Sequence, residues 1–176
     1  MRRIIKAGFL LIAVAAIPIA ISEPSLAQQL DLAALEKSYN AAFAAGQYSR
    51  ALADAQKLEA GARARFGQGS ALHAQALGYL AEAQRTTERF SDAENTYKQA
   101  LAIRTKLNPK DIAISNLHLG MGRLYRYQFR LAEADAAYRE ALKSAQDAAG
   151  PNSPAVGQVL IQLTDLRIAS SGNMKE

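Results

Sequence analysis

The chain has 176 residues, about the length of one domain, and 37 of them are alanine, a composition that favours helix. Hydrophobic residues make up 49%, charged residues 21% and aromatic residues 7%, so the chain can form a core, and the disordered and collagen-like classes are excluded. Because there is no cysteine, disulfides, thiolate metal sites and a cysteine nucleophile are excluded as well.

The N-terminal segment has the pattern of a signal peptide. Residues 1–6 carry three positive charges, and residues 7–21 carry neither a charge nor a strongly polar group. This run is shorter than the roughly 20 residues that a membrane-spanning helix needs, and Pro18 would interrupt it. We predict a signal peptide over residues 1–27, cleaved between Ala27 and Gln28, and therefore a periplasmic or secreted protein without membrane insertion after cleavage. A retained anchor is the second alternative, and both the Sec and the twin-arginine route stay open.

The charge of the remaining chain argues against nucleic-acid binding. Removal of residues 1–27 takes away three basic residues and one acidic residue, so the formal net charge falls from +5 to +3. The remaining lysines and arginines alternate with acidic residues along helical stretches instead of forming one basic patch. We therefore expect a protein or peptide partner and no nucleic acid.

The chain contains an internal repeat, visible when its segments are aligned with one another. Residues 89–101 align with residues 130–142 at an offset of 41, with five of 13 positions identical, and residues 47–51 align with 89–93 at an offset of 42. Within each unit, apolar residues recur at helical spacing in two stretches that a short polar turn separates. The unit is therefore predicted to be a helical hairpin.

The third unit shows the predicted packing best, with helices over residues 111–127 and 131–148. Ala134, Tyr138 and Ala141 stand at i, i+4 and i+7 and so form one stripe of the second helix. Gly122 is the position where the first helix is expected to approach its partner most closely.

These residues also carry a family resemblance. Met121-Gly122 and Tyr125, followed by the stripe at 134, 138 and 141, resemble the tetratricopeptide repeat, and the long period is similar to its kinesin-light-chain-like subtype. The resemblance covers about residues 32–168. It implies an all-α, right-handed α-solenoid of about three antiparallel hairpins plus a C-terminal capping helix.

The resemblance also implies domain limits. We expect the repeat domain over residues 28–170, with the capping helix at about 153–169 and a flexible tail over 171–176. One departure from the pattern lies in the first unit, where Tyr39 occupies the position of a small residue, so we expect its first helix to be shifted or less closely packed.

No catalytic or metal-binding pattern stands out. His73 and His118 lie in different units, and neither has a second ligand four residues later, so we interpret them as packing residues. The segment 67–70 is glycine-rich, but no lysine follows it and no strand precedes it, which favours a loop between repeats over a phosphate-binding loop. We expect no cofactor, no metal and no enzymatic activity.

In tetratricopeptide proteins the first helices of the units line a concave groove, and the resemblance implies that a partner binds there. By register, the groove-facing candidates are Gln75, Glu82, Arg85, Asn116, Arg123, Arg126, Tyr127, Gln158, Asp165 and Ile168. The three arginines are candidates for gripping carboxylates of an extended peptide or a chain terminus. The alternative is that they only solvate an exposed helix surface.

The last helix suggests a second mode of action. Val156, Leu160, Leu163 and Leu166 are predicted to pack inward, whereas Ile161 and Ile168 lie on another side and form a small apolar patch. The leading hypothesis is an exported, non-enzymatic adaptor that binds a partner segment in its groove. The alternative is a structural or assembly component of an envelope complex that acts through self-association or this helix, so we expect a monomer or a weak homo-oligomer.

Overall fold

A computed structural model describes residues 31–172, and these residues form seven α-helices and no strand. The helices are α1 (Leu32–Ala44), α2 (Tyr48–Phe66), α3 (Ala71–Thr86), α4 (Phe90–Leu107), α5 (Ile112–Tyr127), α6 (Leu131–Ala149) and α7 (Pro154–Gly172). The predicted signal peptide and residues 173–176 of the predicted tail lie outside the described residues.

Successive helices pack as antiparallel neighbours. The pairs α1–α2, α3–α4 and α5–α6 form three hairpins, and α7 packs against α6. The first helices of successive units also touch, α3 with α5 and α5 with α7, so they form one layer and the second helices form the other. The prediction of an all-α solenoid of three hairpins plus one helix is thereby confirmed.

The turns inside the hairpins repeat with the same period as the sequence. Each contains one residue in the left-handed region, namely Gly46 with φ 70°, Glu88 with φ 61° and Phe129 with φ 60°. Only the first of these is a glycine, so the second and third turns carry the backbone strain of a side chain in this region. The first helices begin at side-chain caps, among them Ser70 on α3 and Asp111 on α5.

The third hairpin confirms the predicted close approach. Ala134, Tyr138 and Ala141 have no exposed surface. A Cβ atom added at Gly122 would lie 2.3 Å from Cε1 of Tyr138, so the glycine makes room for the ring. The hydroxyl of Ser115 on α5 donates a hydrogen bond of 2.8 Å to the carbonyl of Ala141 and ties the two helices together.

The buried apolar side chains form two clusters that meet along α3. The N-terminal cluster contains Tyr39, Leu58 and six buried alanines from α1, α2 and α3. The C-terminal cluster extends from Leu77 on α3 to Leu166 on α7 and contains the larger side chains, including Tyr97 and Tyr138. The first helix accommodates Tyr39 by burying its ring against Tyr79, with ring centroids 4.8 Å apart.

Helix α7 runs from Pro154 to Gly172, where the capping helix was expected at about residues 153–169. One prediction about this helix is corrected. Leu160 was expected to pack inward, but it is 47% exposed, and Val159 is buried instead. Consecutive residues of a helix lie about 100° apart, so Leu160 falls at the edge of the stripe that is centred between Val159 and Leu163. Within residues 31–172 no helix is long and apolar enough to span a membrane.

Candidate functional site

Two adjoining cavities lie along the layer that the first helices of the units form. The first has a volume of about 450 Å³ and lies between α3, α4 and α5. The second has a volume of about 410 Å³ and lies between the C-terminal ends of α1, α3 and α5. Glu82 on α3 and Arg123 on α5 line both, so the two cavities form one continuous surface, which we call the groove.

The second unit places an internal ion pair in the groove. The guanidinium of Arg85 donates two hydrogen bonds to the carboxylate of Glu82, from Nε at 3.1 Å and from Nη2 at 2.6 Å. The hydroxyl of Tyr97 on α4 donates a third, at 2.5 Å. Arg85, predicted as a free groove arginine, is therefore already engaged by a carboxylate of its own helix.

The electrostatics of this cluster follow from burial and charge. Burial alone would raise the pKa of Glu82, but the hydrogen bonds from Arg85 and Tyr97 and the charges of Arg85 and Arg123 lower that pKa overall. Burial and the adjacent carboxylate raise the pKa of the Tyr97 hydroxyl. Glu82 is thus held as a carboxylate whose hydrogen-bonding capacity is largely used.

In the third unit the position equivalent to Glu82 holds Arg123, so this unit has no carboxylate there. Arg123 and Arg126 on α5 make no hydrogen bond and no ion pair with any residue between 31 and 172. The hydroxyl of Tyr138 on α6 is buried and has no hydrogen-bond partner among the described residues. Burial raises the pKa of this hydroxyl, whereas the charges of Arg126, Arg123 and Arg85 act in the opposite direction.

The groove continues toward the linkers that join the units. On that side Glu36 on α1 accepts hydrogen bonds from the hydroxyl of Tyr79 at 2.5 Å and from the amide of Gln75 at 3.2 Å. On the same side Arg104 pairs with Asp111 at 2.8 Å, and its Nε is buried without a partner among the described residues. Polar groups therefore line this part of the groove.

The opposite end of the groove, near the hairpin turns, is aromatic. Phe43 and Tyr127 line the second cavity, and the ring of Tyr127 lies 5.3 Å from that of Phe90. The hydroxyl of Tyr127 donates a hydrogen bond of 3.1 Å to Glu88 in the preceding turn. This end offers apolar surface next to the guanidiniums of Arg126 and Arg123.

Most of the predicted groove residues lie together, and three do not join them. Seven of the ten line the two cavities, and they are Gln75, Glu82, Arg85, Asn116, Arg123, Arg126 and Tyr127. The α7 residues Gln158, Asp165 and Ile168 are exposed and line neither cavity. Asp165 does lie close enough to Tyr138 for its charge to raise the pKa of that hydroxyl.

Sequence reasoning missed the contribution of the second helices. Tyr97 was treated as a packing residue, yet its hydroxyl donates a hydrogen bond to Glu82 in the groove. The repeat itself contained the signal, since Tyr97 and Tyr138 occupy the same position of consecutive units, as do Arg85 and Arg126. In the same alignment Glu82 corresponds to Arg123, so comparison of the two units position by position identifies the reversed charge.

The two histidines occupy structural environments. His73 is buried, with Nδ1 2.5 Å from the carbonyl oxygen of Gln68 and Nε2 3.1 Å from the carboxylate of Glu59, and so it links α2, the linker and α3. His118 is half-buried, and burial lowers its pKa. Between residues 31 and 172 no three His, Asp or Glu side chains are grouped as a metal site would require.

Comparisons with known proteins agree with this architecture. The profile of the tetratricopeptide repeat family matches residues 120–155, which cover the second half of α5, all of α6 and the following linker. The crystal structure of BtubC (BKLC) from P. vanneervenii superposes with a TM-score of 0.68 and 18% sequence identity over 80% of this chain and 56% of that chain. This chain thus spans little more than half of that helical-repeat protein, and the similarity concerns the fold. No curated protein sequence matches the chain significantly. The tetratricopeptide-repeat profile thus matches most of the third hairpin, and the described part of the chain has the fold of an all-α helical-repeat solenoid.

Proposed function

We propose that the protein is an exported, non-enzymatic interaction module that holds a segment of a partner protein in its groove. Tetratricopeptide repeats generally mediate protein–protein interaction. The observation that carries the proposal is the continuity of the two cavities, which share Glu82 and Arg123 and together offer a path along the inner faces of α3 and α5. Export is supported by the signal-peptide pattern of residues 1–27.

The chemistry of the groove supports binding of an extended polypeptide. Side-chain amides and guanidiniums suit backbone carbonyls and acidic groups, and the aromatic end suits apolar side chains. Asn116 is an exposed polar residue that lines the first cavity. Small residues on the cavity wall, Ala74, Gly78 and Ala113, leave room for a main chain to approach.

A site-specific photocrosslinker tests the proposal in the cells that produce the protein. With p-benzoylphenylalanine at Asn116, we expect a discrete covalent adduct to one partner, and this adduct should disappear when Arg123→Glu is added. The matched control places the crosslinker at Arg139, which is exposed on α6 and pairs with Asp135 away from both cavities. Equal adduct yields from both positions, or an adduct yield at Asn116 that does not change when Arg123→Glu is added, would contradict binding in the groove.

Export has its own test. We expect the mature protein in the envelope or culture fraction, with an N-terminus at Gln28 by mass spectrometry. A full-length chain found only in the cytosol would refute export. It would leave the proposal of binding in the groove unaffected.

A second candidate function is assembly with another copy of the chain through α7. Leu160, Ile161 and Ile168 are 47%, 61% and 65% exposed, an unusual concentration of apolar surface on one helix. A dimer through this surface should dissociate in the Leu160→Glu, Ile161→Glu double variant, as measured by light scattering after size exclusion. A constant monomer mass for both proteins at all concentrations would refute assembly through α7.

A further inference from the structure

We infer that the outer face of α7, formed by Gly157, Ile161 and Thr164, binds an α-helix of another protein, which packs there as the second helix of a fourth hairpin. None of these three residues lines either cavity of the groove, so the inference goes beyond the proposed function and does not depend on it. Within residues 31–172 no helix of the chain itself follows α7.

Helix α7 packs on the preceding hairpin in the same rotation as α5. The two helices align at an offset of 42 residues, which places Asp111, the N-cap of α5, over Ser153. Four positions are buried in both helices, so the same stripe of each helix faces the preceding unit. The pairs are Ile114 and Val156, Leu117 and Val159, Met121 and Leu163, and Leu124 and Leu166.

Helix α5 also buries a second stripe, which α6 covers. Ser115 and Leu119 are 1% and 3% exposed, and Gly122 is buried as well. The hydroxyl of Ser115 donates its hydrogen bond to the carbonyl of Ala141 on α6, and the ring of Tyr138 on α6 lies against Gly122. This second stripe is therefore the surface by which a first helix packs against its second helix.

The equivalent stripe of α7 is the outer face, and it is exposed. Gly157, Ile161 and Thr164 stand 42 residues after the covered stripe of α5, and Ile161 is 61% exposed. A Cβ atom added at Gly157 would have nothing within 4 Å. The hydroxyl of Thr164 donates a hydrogen bond of 2.8 Å to the carbonyl of Leu160, so it needs no partner from outside. An uncharged face of this kind favours the apolar side of a helix as its occupant.

The three hairpins show which side chains the occupant needs. At the two positions that Gly122 and Tyr138 hold in the third hairpin, every hairpin combines one aromatic ring with one small residue. The pairs are Tyr39 and Ala55, Ala81 and Tyr97, and Gly122 and Tyr138. Thr164 is intermediate in size, so the residue opposite it should be larger than alanine and smaller than tyrosine, and leucine fits. On either side the occupant needs small residues, like Ala134 and Ala141 beside Tyr138.

Two charged residues border the outer face. Asp165 and Arg167 lie on opposite edges of it, because residues two apart in a helix are about 200° apart around its axis. Neither side chain forms an ion pair with a residue between 31 and 172. An incoming helix with a basic residue near Asp165 and an acidic residue near Arg167 complements these charges, which fixes its orientation.

A folded second copy of the chain has no second helix to donate. The alanines by which α2, α4 and α6 pack in their own hairpins have no exposed surface. They are Ala51 and Ala55, Ala93 and Ala100, and Ala134 and Ala141. The occupant is therefore a helix of a different protein, and pairing of two α7 helices is the alternative that the experiment must separate.

Two synthetic peptides provide the probe, both with the sequence of residues 130–149, which is that of α6. One keeps Tyr138 and the other carries Tyr138→Leu, and binding to the full-length protein is measured by fluorescence anisotropy. We expect the leucine peptide to bind about tenfold more tightly than the tyrosine peptide, because tyrosine would be too large opposite Thr164. On the Thr164→Gly protein this preference should reverse, since glycine restores the space that Gly122 provides in the third hairpin.

Two further variants locate the site. Ile161→Glu should weaken binding of the leucine peptide about tenfold or more, because it places a charge in the apolar interface. The matched control Ala136→Glu adds the same charge to an exposed position of α6 and should change the affinity less than about twofold. Circular dichroism of all variants checks that helix content is unchanged.

The remaining outcomes overturn the inference. Neither peptide binding the wild-type protein, the same preference on the wild-type and Thr164→Gly proteins, or full binding to Ile161→Glu would each do so. Light scattering of the protein without peptide tests the alternative, and a dimer that Ile161→Glu dissociates would assign the outer face to a second copy. All of these results are independent of crosslinking from Asn116, which tests the groove.

Discussion

The pair Tyr97→Phe and Tyr138→Phe should change stability in opposite directions, although both remove one hydroxyl from the same position of two repeats. Tyr97 is 2% exposed, and its hydroxyl donates a 2.5 Å hydrogen bond to the partly buried carboxylate of Glu82. Loss of a hydrogen bond to a charged group costs about 1.5–3 kcal/mol. We therefore expect Tyr97→Phe to lower the free energy of unfolding by about 2 kcal/mol.

The hydroxyl of Tyr138 is buried without a partner among the described residues, so its removal breaks no hydrogen bond within them. A buried polar group left unsatisfied costs about 1–3 kcal/mol, and Tyr138→Phe should recover part of this, about 1 kcal/mol. The two variants should thus differ by about 3 kcal/mol. For a domain of this length, each kcal/mol corresponds to a shift of about 2–4 °C in the melting temperature.

Urea unfolding followed by circular dichroism in the far ultraviolet measures both changes. The comparison requires that the slope of the free energy of unfolding against urea concentration is the same in the variants and the wild type. Equal destabilisation by the two substitutions would refute the reasoning, because it would mean that the Tyr138 hydroxyl has a partner in the folded chain. Phenylalanine keeps the ring volume in both cases, so a packing defect does not explain a difference between them.

Three further predictions concern packing, backbone strain and pH. Gly122→Ala should destabilise the fold by about 1–3 kcal/mol in thermal unfolding, because the added Cβ would lie 2.3 Å from the ring of Tyr138. The control Gly157→Ala places a Cβ with nothing within 4 Å and should stabilise the fold by about 0.5–1 kcal/mol. Phe129→Gly should raise the urea midpoint by the equivalent of about 1 kcal/mol, because a φ of 60° is unfavourable for a residue with a side chain and the Phe129 ring is 85% exposed. A lower midpoint would show that the ring stabilises the turn. Burial lowers the pKa of His118 in the folded state, so the unfolded chain takes up the proton first and stability should fall as the pH drops below 6.5. His118→Gln should remove part of this loss on the acidic side of neutrality, and an unchanged pH dependence of the melting temperature would contradict it.

The sequence predicts the hairpins well because packing residues repeat locally. The spacing of Ala134, Tyr138 and Ala141 follows from helix geometry alone, and it is confirmed by their complete burial. The expected position of Gly122 follows from the same register and is confirmed by its contact with Tyr138. Such features need no knowledge of the neighbouring unit.

The polar arrangement of the groove was harder to predict, because it depends on contacts between helices. Glu82 and Arg85 were both expected to face a partner, and nothing in their local spacing revealed that Tyr97 on the next helix completes their pairing. The exposed position of Leu160 likewise depends on how α7 rotates against the preceding hairpin. Side-chain contacts across units require coordinates, whereas periodicity along one helix does not.

The division of the apolar core into two clusters implies that the solenoid does not open uniformly. The N-terminal cluster is built mostly from alanines, each of which buries little surface, whereas the C-terminal cluster contains tyrosines, leucines and a methionine. Repeat proteins lose structure unit by unit where an interface is weak, so the first hairpin should exchange its amide hydrogens sooner than α5 and α6. Phe43 belongs to that hairpin and lines the aromatic end of the groove, so transient opening of the first unit would widen the groove at this end while the arginines of α5 stay in place.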